Sequence, residues 1–290
     1  MVRFGLVGLG RWGVRVIDAV AGKTDKFRIT HAANRTPGKN AEVASRHSIN
    51  LLGSFEALLA QPDVDAIVLA TPHSQHADQV VAAARAGKPI FVEKPFTLTL
   101  ADAERALDAT RQAGTIVAAG HNRRFMGPVI AMKRAIEAGA VGRILHVEAN
   151  ISGDVRPVYT PAMWRSDRRE SPAGGMAGAG IHMIDAMIQM AGPMARVSAI
   201  SRRLAMPVAI DDTTATLIEF RNGATGTLAS IMSTAEVTHL RVMGTNGTVE
   251  WRGDDALELR PLTGPATRQD HPRGNSVLAD RKSTRLNSSH

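Results

Sequence analysis

The sequence predicts an α/β unit with a doubly wound parallel sheet, followed by an α+β unit with an antiparallel sheet. Short apolar runs alternate with helical periodicity up to about residue 119, which is typical of parallel strands joined by helices. After about residue 123 the segments become longer and alternate in polarity, with a hairpin turn at Arg221, Asn222 and Gly223. We therefore expect a first unit over 1–123 and a second over 124–279.

The elements of the first unit follow one another in a regular order. Strands are predicted over 2–7, 27–33, 51–52, 65–70, 89–92 and 116–119, and helices over 14–20, 41–47, 54–60, 76–86 and 100–113. After Asp65, residues 66–70 are all apolar, and the segment lies between Pro62 and Pro72, as expected of a strand buried on both faces. Ser54 is a suitable N-cap for the third helix.

The second unit opens with a helix over 129–138 that ends at Gly139. Alternating polarity then predicts strands over 144–151, 197–204, 213–220, 224–232, 239–243 and 248–251.

Composition excludes several classes of protein. No apolar run approaches the roughly 18 residues that would span a bilayer, and we expect no membrane partner. The chain has no cysteine, which excludes disulfides and thiol catalysis and fits a cytoplasmic location. The net charge of +8 is scattered along the chain, with one Tyr and 7 Phe, so we expect no nucleic-acid partner.

The last eleven residues, 280–290, are polar and lack periodicity. Their sequence, DRKSTRLNSSH, resembles the in-frame translation of a sequencing-library adapter. We therefore expect this tail to be non-native and the second unit to be incomplete.

A glycine loop, Gly8-Leu9-Gly10-Arg11-Trp12-Gly13, follows the first strand and opens the first helix. In a dinucleotide site the first glycine allows a tight turn, the second lets the pyrophosphate approach, and the third lets helix and strand pack closely. The helix N-terminus offers unpaired N–H groups to the phosphates. A purely structural turn is the alternative.

The end of the second strand distinguishes the two nicotinamide cofactors. NAD sites usually place an acidic residue there, whereas this chain has Asn34, Arg35 and Thr36, with Lys39 nearby. Asn34 does not repel a 2′-phosphate, and Arg35 and Thr36 are able to bind one. We therefore favour NADP(H) over NAD(H), although Arg35 also fits an ordinary exposed loop.

Two further groups of residues are candidates for proton transfer. Glu93 and Lys94, before Pro95, follow the fifth strand at the ligand-binding edge of such a sheet, where lysine acts as acid or base if burial tunes it. His182 and Asp185 share one helix face, and His182 suits proton transfer near neutral pH. A solvated lysine and a structural histidine are the alternatives. No third ligand completes a metal site with His73 and His76 or with His182 and Asp185.

These motifs together resemble the Gfo/Idh/MocA oxidoreductases, the family of glucose–fructose oxidoreductase and inositol 2-dehydrogenase, from residue 1 to about 260. The matching positions are Gly8, Gly10, Gly13, Thr71, Pro72, His73, His76, Glu93, Lys94, Pro95, Asn122, Arg124, Phe125, Trp164, Arg165, Gly174, Gly175, Gly180, His182 and Asp185. The resemblance implies a Rossmann domain and then a large, mostly antiparallel open sheet that forms a homo-oligomer interface.

The resemblance also implies roles for residues. Thr71, Pro72 and His76 would line the cofactor cleft, while Asn122, Arg124, Trp164 and Arg165 would lie on the nicotinamide side. Lys94 would be the general acid/base, and its peptide bond to Pro95 is often cis in this family. His182 would be the proton-relay partner of Lys94, and Asp185 would lie beside His182.

Gly178 departs from the family pattern, which commonly has Asp four residues before the histidine. The predicted function is hydride transfer between a nicotinamide and a carbinol or carbonyl carbon of a sugar, cyclitol or related small molecule. Because that carboxylate is missing, a catalytically inactive nucleotide-binding regulator is the alternative.

Overall fold

The structure, a computed structural model, describes residues 1–34, 36, 38, 40–253 and 255–271. The chain divides into two compact units after Gly120. Residues 121–123, which we placed in the first unit, belong to the second, because His121 and Arg124 contact a helix of that unit. The predicted tail, 280–290, lies outside the described residues.

The first unit is built on a six-stranded parallel sheet in the order β3-β2-β1-β4-β5-β6. Its strands are β1 (Val2–Val7), β2 (Phe27–Ala33), β3 (Asn50–Leu52), β4 (Ala66–Leu69), β5 (Ile90–Val92) and β6 (Val117–Ala119). The order reverses direction between β1 and β4, which confirms the predicted doubly wound sheet and marks the ligand crevice of such folds.

Helices cover both faces of this sheet. They are α1 (Arg11–Val20), α2 (Ala41–Arg46), α3 (Phe55–Leu59), α4 (His76–Arg85) and α5 (Leu100–Gln112). One core cluster contains Leu58 and Val80, and the other, on the opposite face, contains Ile17 and Ala44. Ser54 caps α3 by accepting a hydrogen bond from the Ala57 backbone N–H.

The second unit contains an eight-stranded sheet in the order β14-β13-β12-β11-β7-β10-β9-β8. Its strands are β7 (Ile144–Ser152), β8 (Met194–Arg202), β9 (Thr213–Phe220), β10 (Thr225–Ile231), β11 (Val237–Gly244), β12 (Gly247–Arg252), β13 (Ala256–Pro261) and β14 (Thr267–Asp270). Every pairing is antiparallel except that of β7 with β10. The predicted hairpin joins β9 to β10, with Gly223 at a φ of 85°.

Two helices, α6 (Gly127–Glu137) and α7 (Ile181–Ala191), pack on one face of this sheet. Their buried side chains Met132 and Met187 share a core with Trp251 of β12 and Phe220 of β9. A π-helical turn, Met176–Gly180, leads directly into α7. This unit therefore has one buried sheet face, on which the start of α7 is held in a fixed position.

Candidate cofactor and catalytic site

The glycine loop has the shape that a phosphate cradle requires. Gly8 follows β1 with a φ of +94°, and a Cβ there would lie 2.6 Å from the carbonyl oxygen of Ala70. A Cβ on Gly13 would collide with the carbonyl oxygen of Gly8. Neither position tolerates a side chain, so the loop turns sharply and α1 packs closely on the strand.

Gly10 differs from the other two glycines. A Cβ built on it meets nothing within 4 Å, so the backbone faces open space at the N-cap of α1. Among the described residues no side chain caps this helix, and the N–H groups at a helix N-terminus suit a phosphate. The arrangement fits a dinucleotide pyrophosphate.

The loop flanks are held by nearby side chains. Leu9 is buried, Arg11 is exposed, and Arg15 lies 5.2 Å over the ring of Trp12. Asn40 donates from its side-chain amide to the carbonyl oxygen of Leu9. Trp12 therefore packs along α1, next to the cradle.

The end of β2 carries an uncharged residue, as the sequence indicated. Asn34 donates from its side-chain amide to the carbonyl oxygen of Thr36 at 3.2 Å, so the two residues form a local turn. Arg35 and Lys39 lie outside the described residues.

Three loops meet the same edge of the sheet, because β1, β4 and β5 are neighbours. Gly8 follows β1, Thr71 follows β4, and Lys94 follows β5. Lys94 is only 8% exposed, and its peptide to Pro95 is cis, as the resemblance implies. The buried lysine and the phosphate cradle thus belong to one sheet edge.

His76 is fully buried beneath this edge. Its Nδ1 lies 2.8 Å from the carbonyl oxygen of Pro95 and its Nε2 lies 3.2 Å from that of Thr71. The Thr71 hydroxyl donates to Gln79 at 2.6 Å. His76 therefore joins the loops after β4 and β5. That it also lines the cofactor cleft, as the resemblance implies, stays a prediction.

In the second unit, His182 and Asp185 lie in the first turns of α7 and each is 9% exposed. Arg124 donates to both carboxylate oxygens of Asp185, from Nε at 2.8 Å and from Nη2 at 2.5 Å. The hydrogen bond to Asp185 raises the pKa of the Arg124 guanidinium. Arg124 is thus an ion-pair partner of Asp185, and its place on the nicotinamide side stays a prediction.

His121 is a residue that sequence reasoning missed. Its Nδ1 is 3.8 Å from Asp185 Oδ2, and its ring lies 6.2 Å from that of His182 at an interplanar angle of 88°. Both partners lie about 60 residues away in the chain, and no local pattern marks the position.

The remaining predicted residues lie on short turns of the second unit. Asn122 is exposed at the start of the 3-10 turn Asn122–Phe125. Trp164 and Arg165 open another such turn, where the Arg165 guanidinium lies 4.2 Å over the indole. The hydroxyl of Ser171 donates to the Arg165 carbonyl oxygen at 2.9 Å, which fixes that turn.

Gly178 lies in the π-helical turn that precedes α7. A Cβ built there meets nothing within 4 Å, so the turn has room for a side chain. The glycine is not a steric requirement of the fold.

Within the ranges that the structure describes, no three His, Asp or Glu residues are grouped as metal ligands would be. Over the same residues no helix is long and apolar enough to cross a membrane.

Each of the two units matches the model of a known protein family. Residues 2–121 match the model of an oxidoreductase family with an NAD-binding Rossmann fold, and residues 129–250 match the Gfo/Idh/MocA C-terminal domain. The chain belongs to the Gfo/Idh/MocA oxidoreductase family. The matched segments coincide with the six-stranded sheet and with most of the eight-stranded one, so the family's fold accounts for both.

Individual Gfo/Idh/MocA proteins resemble the chain at moderate identity. It is 31% identical over 195 residues to the 1,5-anhydro-D-fructose reductase of Ensifer adhaerens, covering 64% of this chain and 56% of that protein. It is 28% identical over 264 residues to the scyllo-inositol 2-dehydrogenase (NAD(+)) of Bacillus subtilis, covering 86% and 73%. The first of these alignments spans little more than half of the relative's length.

A solved structure has the same fold over nearly all of the chain. Levoglucosan dehydrogenase in complex with NADH and levoglucosan is 25% identical, with a TM-score of 0.84, covering 94% of this chain and 82% of that one. The cofactor in that crystal is NADH, so the likeness supports nicotinamide binding and gives no preference for NADP(H).

Proposed function

We propose that this protein is an NAD(P)-dependent dehydrogenase or reductase acting on a CH–OH or carbonyl carbon of a sugar, cyclitol or related small molecule. The observation that carries the proposal is the buried Lys94 on the same sheet edge as the open Gly10 cradle. Anhydrofructose, scyllo-inositol and levoglucosan, which are named with the relatives, are all polyhydroxylated rings.

In this mechanism Gly8, Gly10 and Gly13 would hold the pyrophosphate of the cofactor, while Glu93 and Lys94 would serve the nicotinamide ribose and the reacting carbon. The bound nicotinamide supplies the hydride chemistry. Lys94 accepts the proton of the substrate hydroxyl during oxidation, or donates a proton to the substrate carbonyl oxygen during reduction. Its burial limits the access of water to this side chain. His182 is the proton-relay partner, and Asp185, which pairs with Arg124, assists beside it.

Purified protein should be incubated with a panel of polyols, cyclitols and anhydrosugars, and with their ketones, while the absorbance of the reduced cofactor is followed. Cofactor oxidation or reduction with at least one compound is expected. Cofactor binding without turnover on the whole panel would contradict the proposal and favour the inactive regulator, for which the Gly178 turn is the motivating feature.

We propose NADP(H) as the preferred cofactor because the end of β2 carries Asn34 in place of a carboxylate that would repel a 2′-phosphate. Values of kcat/KM measured with NADPH and NADH should differ by at least about tenfold in favour of NADPH. A preference for NADH would overturn the assignment. The Asn34→Asp variant is the matched control, since it should reverse or abolish the preference.

We also propose that the sheet face opposite α6 and α7 forms a homo-oligomer interface. Register pairing places Leu217, Glu148, Arg241 and Glu250 on one face, while Ile218, Val147, Val242 and Val249 lie on the buried face. Ile200 and Leu217 are 64% and 61% exposed, and Arg241 pairs with Glu148 and Glu250 between strands.

The molar mass of the protein, measured by light scattering as it elutes from a size-exclusion column, tests this interface. We expect a dimer or larger assembly that Leu217→Glu dissociates and the matched surface variant Leu100→Glu leaves intact. A monomeric wild type would contradict the proposed interface.

The absence of cysteine supports a cytoplasmic location, which fractionation of the source cells would test.

A further inference from the structure

The start of α7 contains a buried carboxylate that accepts a hydrogen bond at each of its oxygens from one guanidinium. Asp185 is 9% exposed, and an isolated carboxylate at such a position would be costly. The two-pronged contact from Arg124 supplies both hydrogen bonds and the opposite charge. The pair therefore provides a fixed polar surface one helical turn beyond His182.

His121 lies against both members of this helix turn. Its Nδ1 faces Asp185 Oδ2 at 3.8 Å, while its ring packs edge-on against His182 with centroids 6.2 Å apart. Edge-to-face geometry at this separation is the favourable arrangement for two flat rings. His121 thus touches the catalytic candidate with one part of its ring and the ion pair with another.

The turn that carries His121 is anchored on two sides. Arg124 binds Asp185 of α7, and the preceding Arg123 lies 5.6 Å over the ring of Trp251 on β12. Trp251 is fully buried in the core. Consecutive arginines therefore attach the turn to a helix and to the sheet, which leaves His121 little freedom to move.

We infer that His121 is a positioning residue that fixes the ring of His182 for proton transfer, with the Asp185–Arg124 pair holding His121 in place. The inference rests on the proton-relay role proposed for His182. An imidazole has two different ring nitrogens, so rotation about χ2 presents the wrong atom to the substrate oxygen. The ring of His121, perpendicular to that of His182, restricts that rotation, and loss of such positioning lowers turnover more than binding.

Two substitutions distinguish the contribution of the flat ring of His121 from that of its polar nitrogen. His121→Phe keeps a flat ring against His182 and removes the nitrogen that faces Asp185. His121→Asn keeps a polar group near Asp185 and removes the ring. We expect His121→Asn to lower kcat by about tenfold with KM for NADPH changed less than about twofold, and His121→Phe to retain about half of the wild-type kcat.

The matched control is His47→Asn, a half-buried histidine of the first unit, which should leave kcat unchanged. The inference is overturned if His121→Asn retains full turnover, if both His121 variants lose the same activity, or if His121→Phe is the weaker of the two.

Nuclear magnetic resonance of ring-labelled histidine tests the same point without turnover. The His182 signals are assigned with His182→Gln. We expect one set of ring signals for His182 in the wild type and in His121→Phe, and broadened or doubled signals in His121→Asn. One sharp set in His121→Asn would overturn the positioning role. If no substrate is turned over, the proposed enzyme function fails while this measurement still decides the role of His121.

Discussion

The Nδ1 atom of His76 lies 2.8 Å from the carbonyl oxygen of Pro95, the residue that follows the proposed general acid/base. The same ring reaches the carbonyl oxygen of Thr71 on the neighbouring loop. A single buried side chain therefore couples the ends of β4 and β5, and with them the position of Lys94. We therefore expect His76 to stabilise the two loops that carry Thr71 and Lys94.

Replacement of His76 by alanine should lower the free energy of unfolding by about 3 kcal/mol, because a buried hydrogen-bond partner and a ring are lost together. Denaturant titration measures this loss. The control is His47→Ala. The His47 ring is partly exposed and makes a long contact of 3.8 Å with Asp18, so the free energy of unfolding should change by about 0.5 kcal/mol or less. Equal effects of the two variants would contradict the bracing role.

The phosphate cradle predicts opposite outcomes at two glycines that have equal space for a methyl group. Gly10→Ala should keep the thermal midpoint and weaken NADPH binding at least about tenfold, because the new methyl group occupies the space where the pyrophosphate must approach. Gly53→Ala, also with nothing within 4 Å, should bind NADPH normally. Calorimetric titration of both variants decides this, and undiminished affinity in Gly10→Ala would place the pyrophosphate elsewhere.

Asp212 predicts a specific dependence of stability on pH. Burial raises its pKa, but backbone hydrogen bonds from Ala205, Met206 and Leu204 and one from the Thr213 hydroxyl outweigh this and lower it overall. A lowered folded-state pKa adds stability above the unfolded-state value of about 4, and that stability is lost as pH falls through the folded-state value.

Asp212→Asn should therefore lower the free energy of unfolding at pH 7 by about 2 kcal/mol, because the hydrogen bonds to a charged carboxylate are lost. The difference from the wild type should shrink as the pH falls below about 4. Denaturation curves across this range measure it. A difference that stays constant with pH would show that the charge of Asp212 contributes nothing.

The local elements were largely predictable from the sequence. Strands Phe27–Ala33 and Thr213–Phe220 have the predicted bounds, because apolar or alternating runs end there at clear turn signals. The bounds predicted for β8 were wrong: it starts at Met194 and ends at Arg202. As an edge strand it is mostly exposed, so burial leaves little trace in its sequence.

Two further strands of this sheet were missed, for different reasons. β14 lies at the sheet edge and is exposed at every residue, so it has no apolar alternation. β13 does alternate, over Leu257, Glu258, Leu259 and Arg260, and the prediction did not use this short signal. Their position is set by pairing with β12 and with each other. Edge strands held mainly by backbone hydrogen bonds carry a weak sequence signal.

The candidate site was predictable only where one segment contains it. The glycine loop and the residues after β5 are local motifs, whereas the pairing of Arg124 with Asp185 joins residues 61 apart in the chain. His76 was singled out through the family resemblance alone, and its burial between two carbonyl groups follows from strand order. Long-range contacts of this kind have no periodicity to reveal them.

Lys94→Met separates the proposed proton transfer by Lys94 from cofactor binding. Methionine keeps the length and apolar stem of the buried side chain and removes only the titratable nitrogen. With the best substrate of the panel, kcat/KM should fall at least about a thousandfold while the Kd for NADPH stays within about twofold. Lys133→Met, at an exposed position on α6, should retain wild-type values. Wild-type turnover in Lys94→Met would contradict the account.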